Sequence, residues 1–478
     1  MPNEYRYNQR SPMHWVASHI LRYPLLPIAA VLGALLANVL LSAAMVLAGQ
    51  AFDVITTLPS LAAATSLDPL SPLIWLTLLI LASRVAQGLV SLVSSYGFEV
   101  MAQRMERDIR EELYIRLLGK SQTFHNRQRV GDIMARATND VQQINLMVNP
   151  GGGIIVDSML TFLVPLGAIA LLRLELLLIP GLFLVVFVFA IQRYTDELTP
   201  VSIALRRQFG LLNAGLSEAI SGIEVVKAYA QEAQERDRFV ANASAYRDFF
   251  VQEGRVRARY LPLLLFGIAY GLSFGHALWL FFQGSITTGE IIAFMSLLSL
   301  LRFPIFVSLF SFALVQLGLA GAERVLSLMQ TQTELDENIG GIEQTMQGAI
   351  TFDQVTFSYN GTPVLRDISF TASPGETIAI VGQTGSGKST LTRLVNRIYD
   401  VNAGRVLIDG TDVRDWSLQS LRSQISVIEQ DVFLFSRTIA DNIAFGAAGQ
   451  ATRAQIEQAA HEAQAHDFIM SFPDGYDT

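Results

Sequence analysis

Residues 381–390 read VGQTGSGKST. Gly382, four intervening residues, then Gly387, Lys388 and Ser389 complete the pattern G-x-x-x-x-G-K-[ST]. Its glycines let main-chain N–H groups curl around phosphate oxygens at a helix N-terminus, where the helix dipole also favours anions. Residues 377–381 read as a buried strand and 389–398 as the helix that follows, which is the setting the pattern requires. A glycine turn arising by chance would need neither the lysine nor the serine. On this reading Lys388 reaches the β and γ phosphates of ATP and the Ser389 hydroxyl ligates Mg²⁺, while Gly382, Thr384, Gly385, Ser386, Gly387 and Thr390 complete the cradle.

The rest of the chain is oily. Of 478 residues 51% are hydrophobic and only 16% charged, too apolar for a soluble enzyme of this length. A net charge of -8 argues against a nucleic-acid partner. No cysteine is present, which excludes disulfides, thiolate metal sites and cysteine nucleophiles. His461 and His466 are five apart, off a common helical face, and read as surface residues without a metal.

Residues 24–52 contain no charge, enough for a helix across a bilayer core and too long an apolar run for a signal peptide. Further spans are expected at 69–98, 141–172, 176–192, 260–289 and 291–322, which makes six. Cations set the topology, because short loops rich in Arg and Lys stay in the cytoplasm. Arg6, Arg10 and Arg22 precede the first span; eight cations lie within 101–140 and ten within 193–259, whereas loops 53–68 and 283–290 carry none. Both termini and the phosphate loop are therefore expected in the cytoplasm, in a multi-pass protein of the cell membrane.

Met101, Met105, Ile109, Leu113 and Leu117 form a stripe at helical spacing, as do Leu205, Phe209, Leu212, Leu216 and Ile220, so both long loops read as amphipathic helices continuing out of the membrane. Arg84, Asp157 and Arg302 fall inside spans, where ionisable groups pair with one another or line a water-filled cavity. An Arg84–Asp157 ion pair and a role in substrate passage are equally open. The segment 11–23, with Trp15, suits an interfacial helix at the headgroup level or an ordinary cytoplasmic helix.

A second domain starts near Ala349. Ile350, Phe352, Val355, Phe357 and Tyr359 mark a strand with an irregularity, and Asn360-Gly361 and Pro374-Gly375 mark turns. Together with the phosphate loop, FSYNGTPVL (357–365) and VIEQDVFLFSRTIADNI (427–443) resemble the ATP-binding cassette (ABC) transporters, specifically exporters with six spans fused to one nucleotide domain. The resemblance implies that Tyr359 stacks on adenine and that Gln430 touches Mg²⁺ and the attacking water. Residues 123–141 and 221–239 resemble the two cytoplasmic loops of these exporters, whose short coupling helices sit on the nucleotide domains, the second reaching across to the partner subunit.

The implied architecture is a multi-pass α-helical membrane domain of six helices followed by part of an α/β P-loop domain. Its expected bounds are an N-terminal segment 1–22, a membrane domain 23–322, a linker 323–348 and a cassette domain 349–478. The family's LSGGQ-type signature, Asp-Glu strand and switch histidine do not follow within the 478 residues. Asp409 in VLIDG comes too soon after the phosphate loop to be the Mg²⁺-binding aspartate and reads as a turn residue. Either further residues follow Thr478 or the missing elements come from elsewhere, and these 478 residues alone are expected to hydrolyse hardly any ATP. The implied partners are a second subunit, identical or different, the bilayer, and a hydrophobic or amphipathic small-molecule or lipid substrate. Asn38, Gln50, His276, Arg302 and Gln316 are the polar candidates on three spans. A nucleotide-sensing channel or the inactive half of a heterodimer is the alternative.

Overall fold

The computed structural model describes residues 7–64, 71–259, 261–333, 335, 338, 340–430, 432–447 and 451–478. Six helical stretches are long and apolar enough to cross a membrane: Leu25–Thr57, Ser71–Leu118, Val130–Leu172, Leu174–Ser221, Leu264–Phe282 and Thr288–Gln330. They match the six expected spans, whose starts at 69 and 260 lie outside the described residues. Two compact units emerge, one of residues 1–116 and 133–330, the other of 117–132 and 331–478.

In the first unit the helices bury an aromatic and aliphatic core that includes Ile169, Phe183, Phe187, Phe266, Phe294, Leu297 and Ile305. Helices without a hydrophobic drive between them pack through small residues. Gly49 and Gly289 illustrate this, because a Cβ on Gly289 would lie 2.1 Å from the Gly49 carbonyl oxygen. Beside them Asp53 accepts from the Gly289 N–H at 2.7 Å and from the Thr287 hydroxyl at 2.6 Å. Thr287 and Glu290 form a capping box at the start of helix Thr288–Leu300.

The stripe Met101, Met105, Ile109 and Leu113 is buried, 3% exposed or less, as its spacing predicts. Its counterpart is not: Phe209, Leu216 and Ile220 stay exposed on helix Leu178–Ser221, even though helix Glu232–Ala258 packs beside it through Phe209 and Tyr246. Trp15 departs from the interfacial reading. It is fully buried and its indole N–H donates to Glu112 at 3.0 Å, because a buried indole needs an acceptor and the amphipathic helix supplies one.

Asp157 is not paired with Arg84, which is exposed. It accepts instead from the Asn38 amide at 3.0 Å, and Asn38 accepts from Thr161 at 2.8 Å. Helix-to-helix amide bonds of this kind satisfy a carboxylate at membrane depth without a second charge. The third span is also less regular than an apolar run suggests. Pro150 has no N–H to give, and Asn149 takes a non-helical φ of -136°, so the helix bends there.

In the second unit, strands β1 (Ile350–Tyr359), β2 (Thr362–Ala372), β3 (Ala403–Ile408) and β4 (Thr411–Asp412) form an antiparallel sheet in the order β2-β1-β3-β4. The β1 irregularity is a bulge at Gln354, φ 50°, and Gly404 sits against it where a Cβ would be 2.3 Å from the Gln354 oxygen. Asn360 and Gly361, φ 48° and 84°, make the β1–β2 turn. Asp409 and Gly410, φ 51° and 79°, make the β3–β4 turn, and the Asp409 carboxylate accepts from the N–H groups of Gln347, Gly348 and Ala349.

One expected element is missing. Residues 377–381 form no strand, and Val381 is 89% exposed. A buried strand exists only in a ladder with neighbours on both sides, and among the described residues none pairs with this segment. His461 is exposed and His466 half-buried, on two separate helices, and the spacing did not foresee that they meet. The chain turns between their helices at Gln464, φ 56°, and stacks the two rings 3.8 Å apart, which spacing along a single helix could not anticipate.

Candidate nucleotide site

The phosphate loop is built as its glycines require. Gly385 and Gly387 take φ of 85° and 93°, and a Cβ at Gly387 would meet the Leu365 side chain at 2.7 Å. Helix Lys388–Val395 starts immediately after, burying Leu391 and Leu394 against the sheet and fixing where its N-terminus points. The Lys388 ammonium curls back over the loop and donates to the carbonyls of Gly382 and Gln383, both at 2.9 Å. Those two neutral acceptors hold the cation in the mouth of the loop, where phosphate oxygens would be stronger partners. Gly382 gives the loop room in turn, since a Cβ there would lie 2.8 Å from the Ser386 hydroxyl. Thr384, Ser386 and Ser389 are exposed along the loop and the first helical turn, and Thr390 is buried behind them.

Tyr359, at the end of β1, stands beside this helix, its hydroxyl 3.4 Å from that of Thr390. Its ring is edge-on to Phe357 at 4.8 Å and to Tyr399 at 5.2 Å, and the residue stays partly exposed. Gln430 is exposed in an irregular segment, and the structure does not bring it to the loop. The Ser389 hydroxyl and Gln430 amide are hard oxygen donors of the sort Mg²⁺ takes, and neither makes a hydrogen bond among the described residues.

The resemblance implied a short helix of the first cytoplasmic loop against the nucleotide domain; the sequence reading missed Tyr399, the residue it meets there. The short helix Gln122–Arg127, capped by Ser121, belongs to the same compact unit. Asn126 donates to the Tyr399 hydroxyl at 2.8 Å and Arg127 to Asn360 of the β1–β2 turn at 3.2 Å. Tyr399 is 5% exposed, and burial pushes its hydroxyl pKa up against the opposing pull of the Asn126 bond. An aromatic soon after the phosphate-loop helix was the available signal.

A phosphate cradle beside a strand-end tyrosine, on a chain with six apolar spans, defines an ATP-binding membrane transporter. Residues 28–305 match the family described as the ABC transporter transmembrane region and residues 365–475 the ABC transporter family, so the chain belongs to the ABC transporters. It is 32% identical over 409 residues to an ATP-dependent lipid A-core flippase of Syntrophus aciditrophicus, covering 84% of this chain and 68% of that one. A flippase of the same description from Thiobacillus denitrificans is 33% identical over 413 residues, covering 84% and 70%. Among solved structures, a bacterial Atm1-family ABC exporter with ATP bound superposes with a TM-score of 0.71 at 26% identity, over 94% of this chain and 79% of that one. The exporter architecture expected from the sequence is therefore the one present.

Proposed function

We propose that the chain is one subunit of a dimeric ATP-driven exporter that moves hydrophobic or amphipathic molecules, lipids among them, out of the inner leaflet or cytoplasm. The observation that carries this is Lys388, held over a glycine loop at a helix N-terminus on the same polypeptide as six apolar spans. The names of the flippase relatives support a lipid-like cargo.

In this reading Lys388 exchanges the Gly382 and Gln383 carbonyls for β and γ phosphate oxygens, and the loop N–H groups take the remaining charge. The Tyr359 ring stacks on adenine. Ser389 would hold Mg²⁺, joined by Gln430 once its segment approaches the loop, and the ion would supply positive charge to offset that of the phosphates. A second subunit closes the site from the opposite side, covers the exposed stripe Phe209, Leu216 and Ile220, and receives the exposed helix Ile223–Ala228. The cations of 101–140 and 193–259 support a cytoplasmic nucleotide unit. Closure around ATP then biases the spans between inward-open and outward-open arrangements, by the difference in ATP affinity of the two states.

The test is ATP-dependent movement of a fluorescent lipid across proteoliposomes by the intact assembly. Lys388→Ala is expected to abolish it; unchanged movement would sink the proposal.

A further inference from the structure

The membrane unit contains a cavity of about 480 Å³, lined by Ser91, Phe98 and Glu99 of the second span, Asn149 and Asp157 of the third and Phe303 of the sixth, among others. Two of these side chains are carboxylates, and no lysine or arginine lines the cavity. Asp157 lies 15 residues before the outer end of helix Gly153–Leu172, about 22 Å at 1.5 Å per residue, and so within the hydrocarbon depth. Glu99 lies 28 residues after the start of helix Ser71–Leu118, about 42 Å along, near the opposite membrane boundary. The cavity therefore runs from one headgroup region towards the midplane, with an acid near each end.

Both acids are held by neutral donors. Glu99 accepts from Gln103 at 2.9 Å and from Asn149 at 2.5 Å, and Asp157 accepts from Asn38 at 3.0 Å. Amides orient a carboxylate and leave its charge uncancelled, and an uncancelled charge at membrane depth is costly. A cationic ligand removes that cost on entering; an anionic one adds to it. Phe98 and Phe303 supply aromatic faces that suit a cation or its apolar body.

We infer that this cavity selects cationic amphiphiles, with Asp157 and Glu99 as the residues that determine the charge preference. The inference rests on the exporter reading and names its substrate class.

The test needs no ATP, so its outcome is separate from that of Lys388→Ala. The intact protein in neutral-lipid nanodiscs is titrated with tetraphenylphosphonium and, in parallel, with tetraphenylborate, an anion of nearly the same shape. Saturable binding of the phosphonium is expected, at least about ten-fold tighter than the borate once partitioning into empty nanodiscs is subtracted. Asp157→Asn and Glu99→Gln should each weaken phosphonium binding about ten-fold or more and leave borate binding equal or tighter than in the parent protein. Having two variants at separate positions keeps the test open if one fails to fold, and the thermal transition of each reports folding. In the parent protein, equal binding of the two ions or tighter binding of the borate would overturn the inference, as would phosphonium affinity unchanged in a folded variant.

Discussion

Asn126 donates to the Tyr399 hydroxyl at 2.8 Å, and the Tyr399 ring in turn stands edge-on to Tyr359 at 5.2 Å. A helix in the first long loop is thus two contacts from the candidate adenine platform. Replacing Asn126 by Ala, or Tyr399 by Phe, removes one hydrogen bond of about 0.5–1.5 kcal/mol. ATP binding should stay within about three-fold, while transport per ATP hydrolysed falls. Because both changes break the same bond, the double variant should lose no more than the larger single loss. Additive losses would mean that the bond carries no coupling.

Tyr359, partly exposed, makes a second expectation quantitative. Tyr359→Ala should weaken ATP binding about 2–12-fold, the 0.5–1.5 kcal/mol of an aromatic contact, and Tyr359→Trp should restore it. Fluorescent-nucleotide titration of the intact assembly reads both. Equal affinity in the Ala variant would remove Tyr359 from the site.

The β3–β4 hairpin carries a pH dependence of predictable sign. Burial alone would raise the Asp412 carboxyl pKa, but hydrogen bonds from the Arg414 guanidinium, at 2.7 and 3.0 Å, and from its main-chain N–H outweigh burial and hold it below 3.8. A carboxylate with a lowered folded-state pKa stabilises fully above its unfolded value and loses that stability as pH falls through the folded one. Local stability of the hairpin should be flat well above the ordinary carboxylate range and decline as the pH falls through the lowered value. Hydrogen exchange of residues 403–413, corrected for intrinsic rates, measures this, and Asp412→Asn should remove the decline.

Gly289 admits no side chain. A Cβ there would lie 2.1 Å from the Gly49 oxygen and 2.5 Å from the Asp53 carboxyl carbon. Gly289→Ala should therefore destabilise the membrane unit by about 1–3 kcal/mol or more, read as a lowered thermal transition in nanodiscs. Asp53→Ala, which only removes two acceptors, should cost less, about 1–2 kcal/mol.

The six spans and the phosphate loop were legible because each is written locally: apolar length for the first, a glycine and lysine spacing for the second. The turns at Asn360 and Asp409 were legible for the same reason, as both needed positive φ. Residues 377–381 were misread because alternation and apolarity describe what a strand buries, whereas a strand also needs neighbours to pair with. The contacts of Trp15 and Asp157 were not legible because their partners, Glu112 and Asn38, lie 97 and 119 residues away. Glu99 falls just past the expected end of the second span at 98 and was not singled out, although Asn149-Pro150 followed by three glycines inside an apolar run was a usable warning of a bend beside it.

The backbone-to-backbone contact of Gly49 and Gly289, latched by Asp53, ties the late part of the first span to the start of the sixth. Those two segments must travel as one piece. Any outlet that opens towards the far side of the bilayer has to part other helices.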